Sequence, residues 1–445
     1  MPNSPSHRSH PALTMLLVFM VATLSTSCGR SPITTVAPVR DPQGRASDLP
    51  SGGTLHSGSI DGQVVVTLVA GANASRIAAD LNASLIECDY DEHTASFMPG
   101  SGQTSASLQT ALAADSRVLT AEPNAWLETA ETRQQSFAFD DGFGTPHTVA
   151  EQPAAAAIHL DAAHEVALGR GVVMAILDTG IDPRHPMLRH AYAGGRDFVD
   201  GDADPTDSRD YLDNDGDGLV DEGFGHGTHV AGIMNLVAPE ARLLVVRVLD
   251  SDGRGDVLDI AADVHWAVDH GAKVLNLSLG SLQGSDALQH ALEEAESRGV
   301  VVISSAGNWG ADTPVEFPAR SSHVAAIAAV DAAATPAAFS SFGHMVALSA
   351  PGVGVRSAYP GGGYRLWSGT SMSAPFVAGT AALLAEAHPT WTLVQMLERI
   401  QSTASPVRGE GEDFGAGALD SGAALALDRR SHIDDVPVPE QLRPR

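Results

Sequence analysis

Ser368-Gly369-Thr370-Ser371-Met372-Ser373-Ala374-Pro375 leads straight into Phe376-Val377-Ala378-Gly379-Thr380-Ala381-Ala382-Leu383-Leu384. The second stretch is apolar all round and reads as a buried helix. The first is a helix start made of small residues, which leave the Ser371 hydroxyl little covered. Pro375 fits an early position, because first-turn N–H groups have no intrahelical partners. Those free N–H groups and the helix dipole create positive potential at Ser371, suited to a developing oxyanion. Taken alone, the stretch is equally a structural helix start.

Two earlier segments supply what such a serine needs. Val172-Val173-Met174-Ala175-Ile176-Leu177 is a short, fully apolar run ending in Asp178-Thr179-Gly180-Ile181-Asp182. It predicts a buried parallel strand with a carboxylate at its C-terminal end, where α/β sheets carry their sites. Gly225-His226-Gly227-Thr228-His229-Val230-Ala231-Gly232 sets a histidine among glycines at another helix start. Serine becomes a strong nucleophile when a histidine takes its proton, and a buried aspartate fixes that histidine's tautomer. Asp178, His226, Ser371 is one of the chain orders in which that triad occurs.

With these residues in view, the chain resembles the subtilisin-type serine proteases, the subtilases. The family's three catalytic motifs correspond to Asp178-Thr179-Gly180, His226-Gly227-Thr228-His229 and Gly369-Thr370-Ser371-Met372-Ser373-Ala374-Pro375. A fourth, Ser304-Ser305-Ala306-Gly307-Asn308, matches the stretch carrying the side-chain donor of the oxyanion hole. The resemblance implies that Asn308 donates its amide beside the Ser371 N–H. It also implies polypeptide substrates and a three-layer α/β fold around a parallel central sheet. Strand runs Leu243–Val248, Lys273–Ser278 and Val300–Ser304 alternate with helical runs Val257–His270 and Asp286–Ser297, which agrees.

Other uses of these residues lead elsewhere. His226 and His229 could form a metal pair, since residues three apart share a helix face, and so serve a metallohydrolase. The usual zinc-protease motif has Glu after the first histidine, and Gly227 stands there instead. On this view His229 is a packed structural residue and Asp182 a loop acid. Asn308, without the resemblance, is a turn residue after Gly307. A third class is a silent, calcium-dependent binding protein on the same scaffold, since fold does not prove turnover.

The chain of 445 residues has a net charge of −28, which argues against nucleic acid as a partner and disfavours anionic membranes. Cys28 and Cys88 are the only cysteines, so there is no disulfide framework. Met15 to Leu24 has the length of a signal-peptide core and is too short to span a bilayer. Ser25-Thr26-Ser27-Cys28 after it resembles a bacterial lipoprotein signal, in which the cysteine carries lipid. Leu24 sits one place early for that pattern and Arg8 is the only preceding Lys or Arg. Export to the exterior or envelope is therefore expected, with lipid on Cys28 as the sole membrane attachment and left open.

The expected organisation is a leader over 1–28, a Ser/Pro/Gly-rich tether over 29–58, and a small α+β domain over 59–130. A processing linker follows over 131–149, then the catalytic region over 150–430 and a tail over 431–445. Residues 59–130 alternate strand, helix, strand, strand, helix, strand, a ferredoxin-like pattern. At this position it resembles the subtilase propeptide, implying an intramolecular inhibitor and a self-processing zymogen. Residues 131–155 read as polar loop, where the cut should fall. A monomer is the expectation.

Asp213-Asn214-Asp215-Gly216-Asp217-Gly218-Leu219-Val220-Asp221-Glu222 places carboxylates at alternate positions, like the start of an EF-hand loop. Asp213, Asp215, Asp217, the Leu219 carbonyl and Asp221 or Glu222 form an oxygen set suited to structural calcium. Phe224 stands where the closing glutamate of the full pattern belongs. The alternative is a solvated acidic loop. By the resemblance, Gly255 and Ser278-Leu279-Gly280 clamp an extended substrate backbone. Glu316, before Phe317-Pro318-Ala319, falls near the floor of the primary specificity pocket. There it would attract Lys or Arg; equally, it could point into solvent.

Overall fold

The computed structural model describes residues 59–89, 93–133, 136–310, 315–409 and 412–426. The expected leader, tether and tail, with Cys28, lie outside the described residues.

Seven strands form one all-parallel sheet. Their spatial order is Val346–Pro351, Ala325–Val330, Val301–Ser305, Val274–Leu277, Val173–Asp178, Arg242–Arg247 and Tyr192–Asp197. The apolar run at 173–178 is two-sided, as a covered parallel strand must be. Met174 and Ile176 enter the core that holds helices His226–Val237 and Thr370–Ala387. Ala175 and Leu177 point the other way, into the core of helices Val257–Asp269 and Asp286–Ser297. This is the expected three-layer architecture.

A second, antiparallel sheet precedes it. Strands Ala83–Asp89, Thr94–Pro99, Ser59–Leu68 and Val118–Glu128 lie side by side in that order, with helices Ala74–Asp80 and Ser105–Ala113 between them in sequence. Its core is separate: Val64, Val66, Ile77, Phe97, Leu108 and Leu112 are buried together. The strand Arg254–Asp256 joins as a fifth, antiparallel to the end of Val118–Glu128.

Glu122 fixes this docking. Its carboxylate accepts from Ser285 Oγ at 2.7 Å, Asp286 N at 2.7 Å and Ala287 N at 3.1 Å. A negative group thus meets the unpaired N–H groups and positive pole of helix Asp286–Ser297. Asn124 Nδ2 adds a second tie by a different contact, donating to the side chain of Asp256, the N-cap of the neighbouring helix, at 2.7 Å.

Two local expectations change. Pro375 lies in the second turn of helix Thr370–Ala387, not the first. A residue there normally bonds the carbonyl four places back, and the freed Ser371 carbonyl instead accepts from Ser278 Oγ at 3.1 Å. Residues 131–155 are also less loop-like than their polarity suggests, for short helices cover Ala130–Arg133, Pro146–Ala150 and Pro153–Ala157. Thr145 caps the second, and Pro starts the second and third, a favoured first position.

Candidate active site

Asp178 ends its strand at the C-terminal edge of the sheet, and His226 opens a helix directly above it. His226 Nδ1 bonds Asp178 Oδ1 at 2.7 Å, with both side chains buried. Gly225 explains the glycine before the histidine: its φ is 92°, and a Cβ there would collide with the Tyr359 ring. The Trp367 ring stands edge-on to both His226 and His229, with centroids 5.4 and 5.7 Å away.

Ser371 begins the long helix across the cleft. Its Oγ donates to Glu131 Oε2 at 2.5 Å, and Glu131 Oε2 lies 3.3 Å from His226 Nε2. Asn308 Oδ1 accepts from Thr370 N and Thr370 Oγ1, both at 2.9 Å, so the amide orientation is set. Its Nδ2 then donates to Glu131 Oε1 at 2.9 Å, and Ser371 N approaches the same oxygen at 3.3 Å. One oxygen therefore sits between the two donors expected to hold an oxyanion, and the other between Ser371 and His226.

These contacts set the charges. Burial presses the His226 imidazolium toward deprotonation, but the Asp178 carboxylate, helped by Glu131, outweighs it and raises His226 to about 10. Glu131 is fully buried, which alone would raise it; contacts with His226, Ser371 and Asn308 hold it below its ordinary value. His229 behaves as a packed residue: burial lowers it to about 3, and its Nε2 bonds the Arg365 carbonyl at 3.1 Å. That bond turns His229 to structural use, apart from His226.

The sequence reading missed two residues here. Glu131 falls in a polar stretch with no motif around it. Asp207 lies beneath the His226 helix, accepting from Gly225 N at 3.1 Å and Thr228 Oγ1 at 2.8 Å. Burial, with the Asp178 charge adding to it, raises Asp207 to about 7. Its one legible signal is that an uncapped glycine-led helix start calls for an acceptor. Asp182 is a loop acid, accepting from Gly361 N at 3.0 Å.

The cleft residues flank the chain's own segment. Trp126, Leu127 and Glu128 pair antiparallel with Asp256, Gly255 and Arg254. On the other side Glu128 N donates to the Gly280 carbonyl at 3.0 Å, and Gly280 N to the Glu128 carbonyl at 2.8 Å. Leu279 is buried in the core behind this edge, and the Ser278 carbonyl lies 3.3 Å from Ser371 Oγ. Glu316 is 1% exposed, which removes the solvent-facing alternative.

The acidic loop gathers as two overlapping groups among the described residues: Asp213, Asp215 and Asp252, and Asp215, Asp217 and Glu222. Glu222 Oε2 is buried without a hydrogen-bond partner and belongs to that cluster. Asp252, buried in the turn before strand Arg254–Asp256, is an addition no spacing rule indicates. Asp221 stands apart, its Oδ1 accepting from Asp210 N and Tyr211 N at 3.0 and 3.1 Å. The Leu219 backbone N–H is bound to Asp217 Oδ1 at 2.7 Å.

An α/β sheet with a buried Asp–His pair at its C-terminal edge and a serine at a facing helix start defines a hydrolase-type site. The chain belongs to the subtilase family, whose profile matches residues 169–418. It is 40% identical to subtilisin BL of Lederbergia lenta over 277 residues, 60% of this chain and 96% of that protein. It is 39% identical to a subtilisin of Bacillus pumilus over 268 residues, 58% of this chain and 91% of the other. Among solved structures it resembles fervidolysin from Fervidobacterium pennivorans, a keratinolytic enzyme related to subtilisin, with TM-score 0.67 and 25% identity. That match covers 82% of this chain but 61% of fervidolysin. The protein is a subtilisin-like serine endopeptidase acting on polypeptides, and a silent binding scaffold is not favoured.

Proposed function

We propose that Asp178, His226 and Ser371 form the catalytic triad, with Asn308 and the Ser371 N–H as oxyanion donors, in an exported enzyme made as a self-inhibited zymogen. The single observation that carries this is Glu131, whose carboxylate meets Ser371, Asn308 and the His226 edge together. Such a convergence of donors has one economical use, to receive negative charge beside a nucleophile.

The steps follow from the residues. His226, oriented by Asp178, takes the Ser371 proton as Oγ attacks the peptide carbonyl. Asn308 Nδ2 and Ser371 N hold the oxyanion; His226 then returns the proton to the leaving amine. Water, activated by the same histidine, releases the acyl group. Gly255 and Ser278-Leu279-Gly280 would hold the substrate as a third strand, the place that residues 126–128 take here.

The domain over 59–130 is proposed as the inhibitory propeptide and 131–149 as the linker cut on maturation. The apolar core at 15–24, followed by small residues, supports export. Calcium fits the acidic loop, for a buried carboxylate oxygen without a partner is costly unless a cation meets it. Asp213, Asp215, Asp217, Glu222 and Asp252 would hold it, and bound calcium would brace the loop leading into His226.

The test is intact mass and N-terminal sequence of the purified full chain beside Ser371→Ala. Maturation to a start within 131–155 in the wild type alone is the expected result. Identical unprocessed masses for both would remove the self-processing proposal.

A further inference from the structure

Glu316 is held from both sides at the head of the cleft. Its N–H bonds the Ala306 carbonyl at 3.2 Å, and the next residue, Phe317, exchanges backbone bonds with Ser281 at 2.9 and 2.8 Å. The side chain is thereby directed between Gly280 and Gly307. A Cβ at Gly280 would collide with Glu316 Oε2, and one at Gly307 would come within 2.9 Å of its Cδ. Both glycines leave room for this carboxylate.

Its two oxygens have different partners. Oε1 accepts from Trp309 Nε1 at 2.6 Å, which fixes the carboxylate plane. Oε2 accepts from Arg133 NH2 at 2.6 Å, and the Arg133 side chain is only 8% exposed. The Arg133 guanidinium also lies 5.9 Å from the Trp309 ring centroid. Arg320 is the other nearby cation, but its NH1 and NH2 point to the carbonyls of Ser281, Val315 and Leu282. Oε2 is thus left to whatever fills the pocket.

Arg133 stands two residues after Glu131, the residue on Ser371, and it is the only Lys or Arg between Arg117 and Arg170. It reaches Glu316 from the short helix Ala130–Arg133, while Glu131 holds the oxyanion position. The unbroken chain therefore fills the pocket with an arginine without offering a peptide carbonyl to the nucleophile.

We propose that Glu316 and Trp309 make this a peptidase directed to basic residues, cutting after Arg above all, with Arg133 holding the pocket in the unbroken chain. The proposal rests on the assignment of Ser371 as nucleophile. When Arg133 leaves, Glu316 is a buried carboxylate with an open lone-pair face. A Leu or Phe side chain would leave it unpaired, whereas a guanidinium pairs with Oε2 and lies against the indole. A lysine ammonium can reach the same oxygen but gains less from the ring, so the order is Arg, Lys, then Leu and Phe.

The experiment uses matured protein from the full chain and matched peptides differing only at the residue before the cut: Arg, Lys, Leu or Phe. Arg is expected to exceed Leu in kcat/KM by about 100-fold or more, because the site presents a polar group that Leu cannot satisfy. Glu316→Gln should lower that ratio at least about tenfold, since the amide keeps the shape but loses the charge. Should that variant not fold, benzamidine on the wild type serves instead, with competitive inhibition expected and its absence counting against the pocket. Equal or faster cutting after Leu or Phe overturns the proposal and leaves the peptidase standing. If no peptide is cut and an organophosphonate does not label Ser371, the nucleophile assignment fails and this inference fails with it.

Discussion

Ser371 Oγ donates a 2.5 Å hydrogen bond to Glu131 Oε2, so the proposed nucleophile is bound by a side chain from the start of the proposed processing linker. The second oxygen of that carboxylate occupies the position between Asn308 Nδ2 and Ser371 N. A carboxylate there imitates a charged reaction species and keeps a substrate carbonyl out. Glu131→Ala in the full-length chain should then mature several-fold faster than wild type. A gel time course at one enzyme concentration measures this; an unchanged rate means that Glu131 does not restrain the site.

The same carboxylate bears on pH. His226 is raised to about 10, with burial opposing and Asp178 and Glu131 prevailing, so the Glu131 contact favours the imidazolium and must open before His226 can take the Ser371 proton. Because the folded value lies above the ordinary 6.5, the associated stabilisation is complete below about 6.5. It declines as pH rises and is gone above about 10. Ser371→Ala protein should lose melting temperature between these limits more steeply than Ser371→Ala/Glu131→Gln. Parallel melting curves against pH would contradict a Glu131–His226 charge pair.

Asn308 and Asp178 separate by magnitude. Deleting one oxyanion donor in subtilisin costs about 10²–10³ in kcat, and Asn308→Ala should show a loss of that size with KM little changed. Asp178→Asn keeps the 2.7 Å contact partner but reverses the tautomer preference of His226, a change worth about 10⁴ in the trypsin-type triad. Steady-state kinetics on one peptide at fixed pH suffice. A larger loss for Asn308→Ala than for Asp178→Asn would invert the proposed roles.

Much of the fold and of the candidate site was legible because its signals are local. The two-sided run at 173–178 and the small-residue start before Ser371 each carry their own pattern, and the structure places them where parallel-sheet geometry requires. Glu131 and Arg133 were not legible, because their meaning comes from partners 240 and 183 residues away. Pro375 was misplaced by one turn because its compensation, Ser278 Oγ on the Ser371 carbonyl, is also remote. The acidic loop shows both cases: Asp213, Asp215 and Asp217 follow from spacing, while Asp252 enters from another strand's approach.

That last residue makes the metal proposal specific. Asp252 Oδ1 accepts from Asp221 N at 2.6 Å and its Oδ2 from Asn214 N, tying the acidic loop to the turn before strand Arg254–Asp256. Gly253, next in sequence, gives its carbonyl to Thr129 N at 3.0 Å. A calcium ion held by Asp213, Asp215, Asp217, Glu222 and Asp252 would therefore brace both the approach to His226 and the turn before strand Arg254–Asp256. At 100 times its Kd the ion should stabilise the fold by about 2.7 kcal/mol, raising the melting temperature by several degrees. Asp252→Asn should reduce that rise, and Asp221→Asn should leave more of it, because Asp221 lies outside the ligand groups. Differential scanning calorimetry of Ser371→Ala protein with calcium or EGTA measures this without self-digestion. A calcium-independent melting temperature would show the loop to be a solvated acidic turn, with Glu222 kept neutral by protonation instead of by a metal.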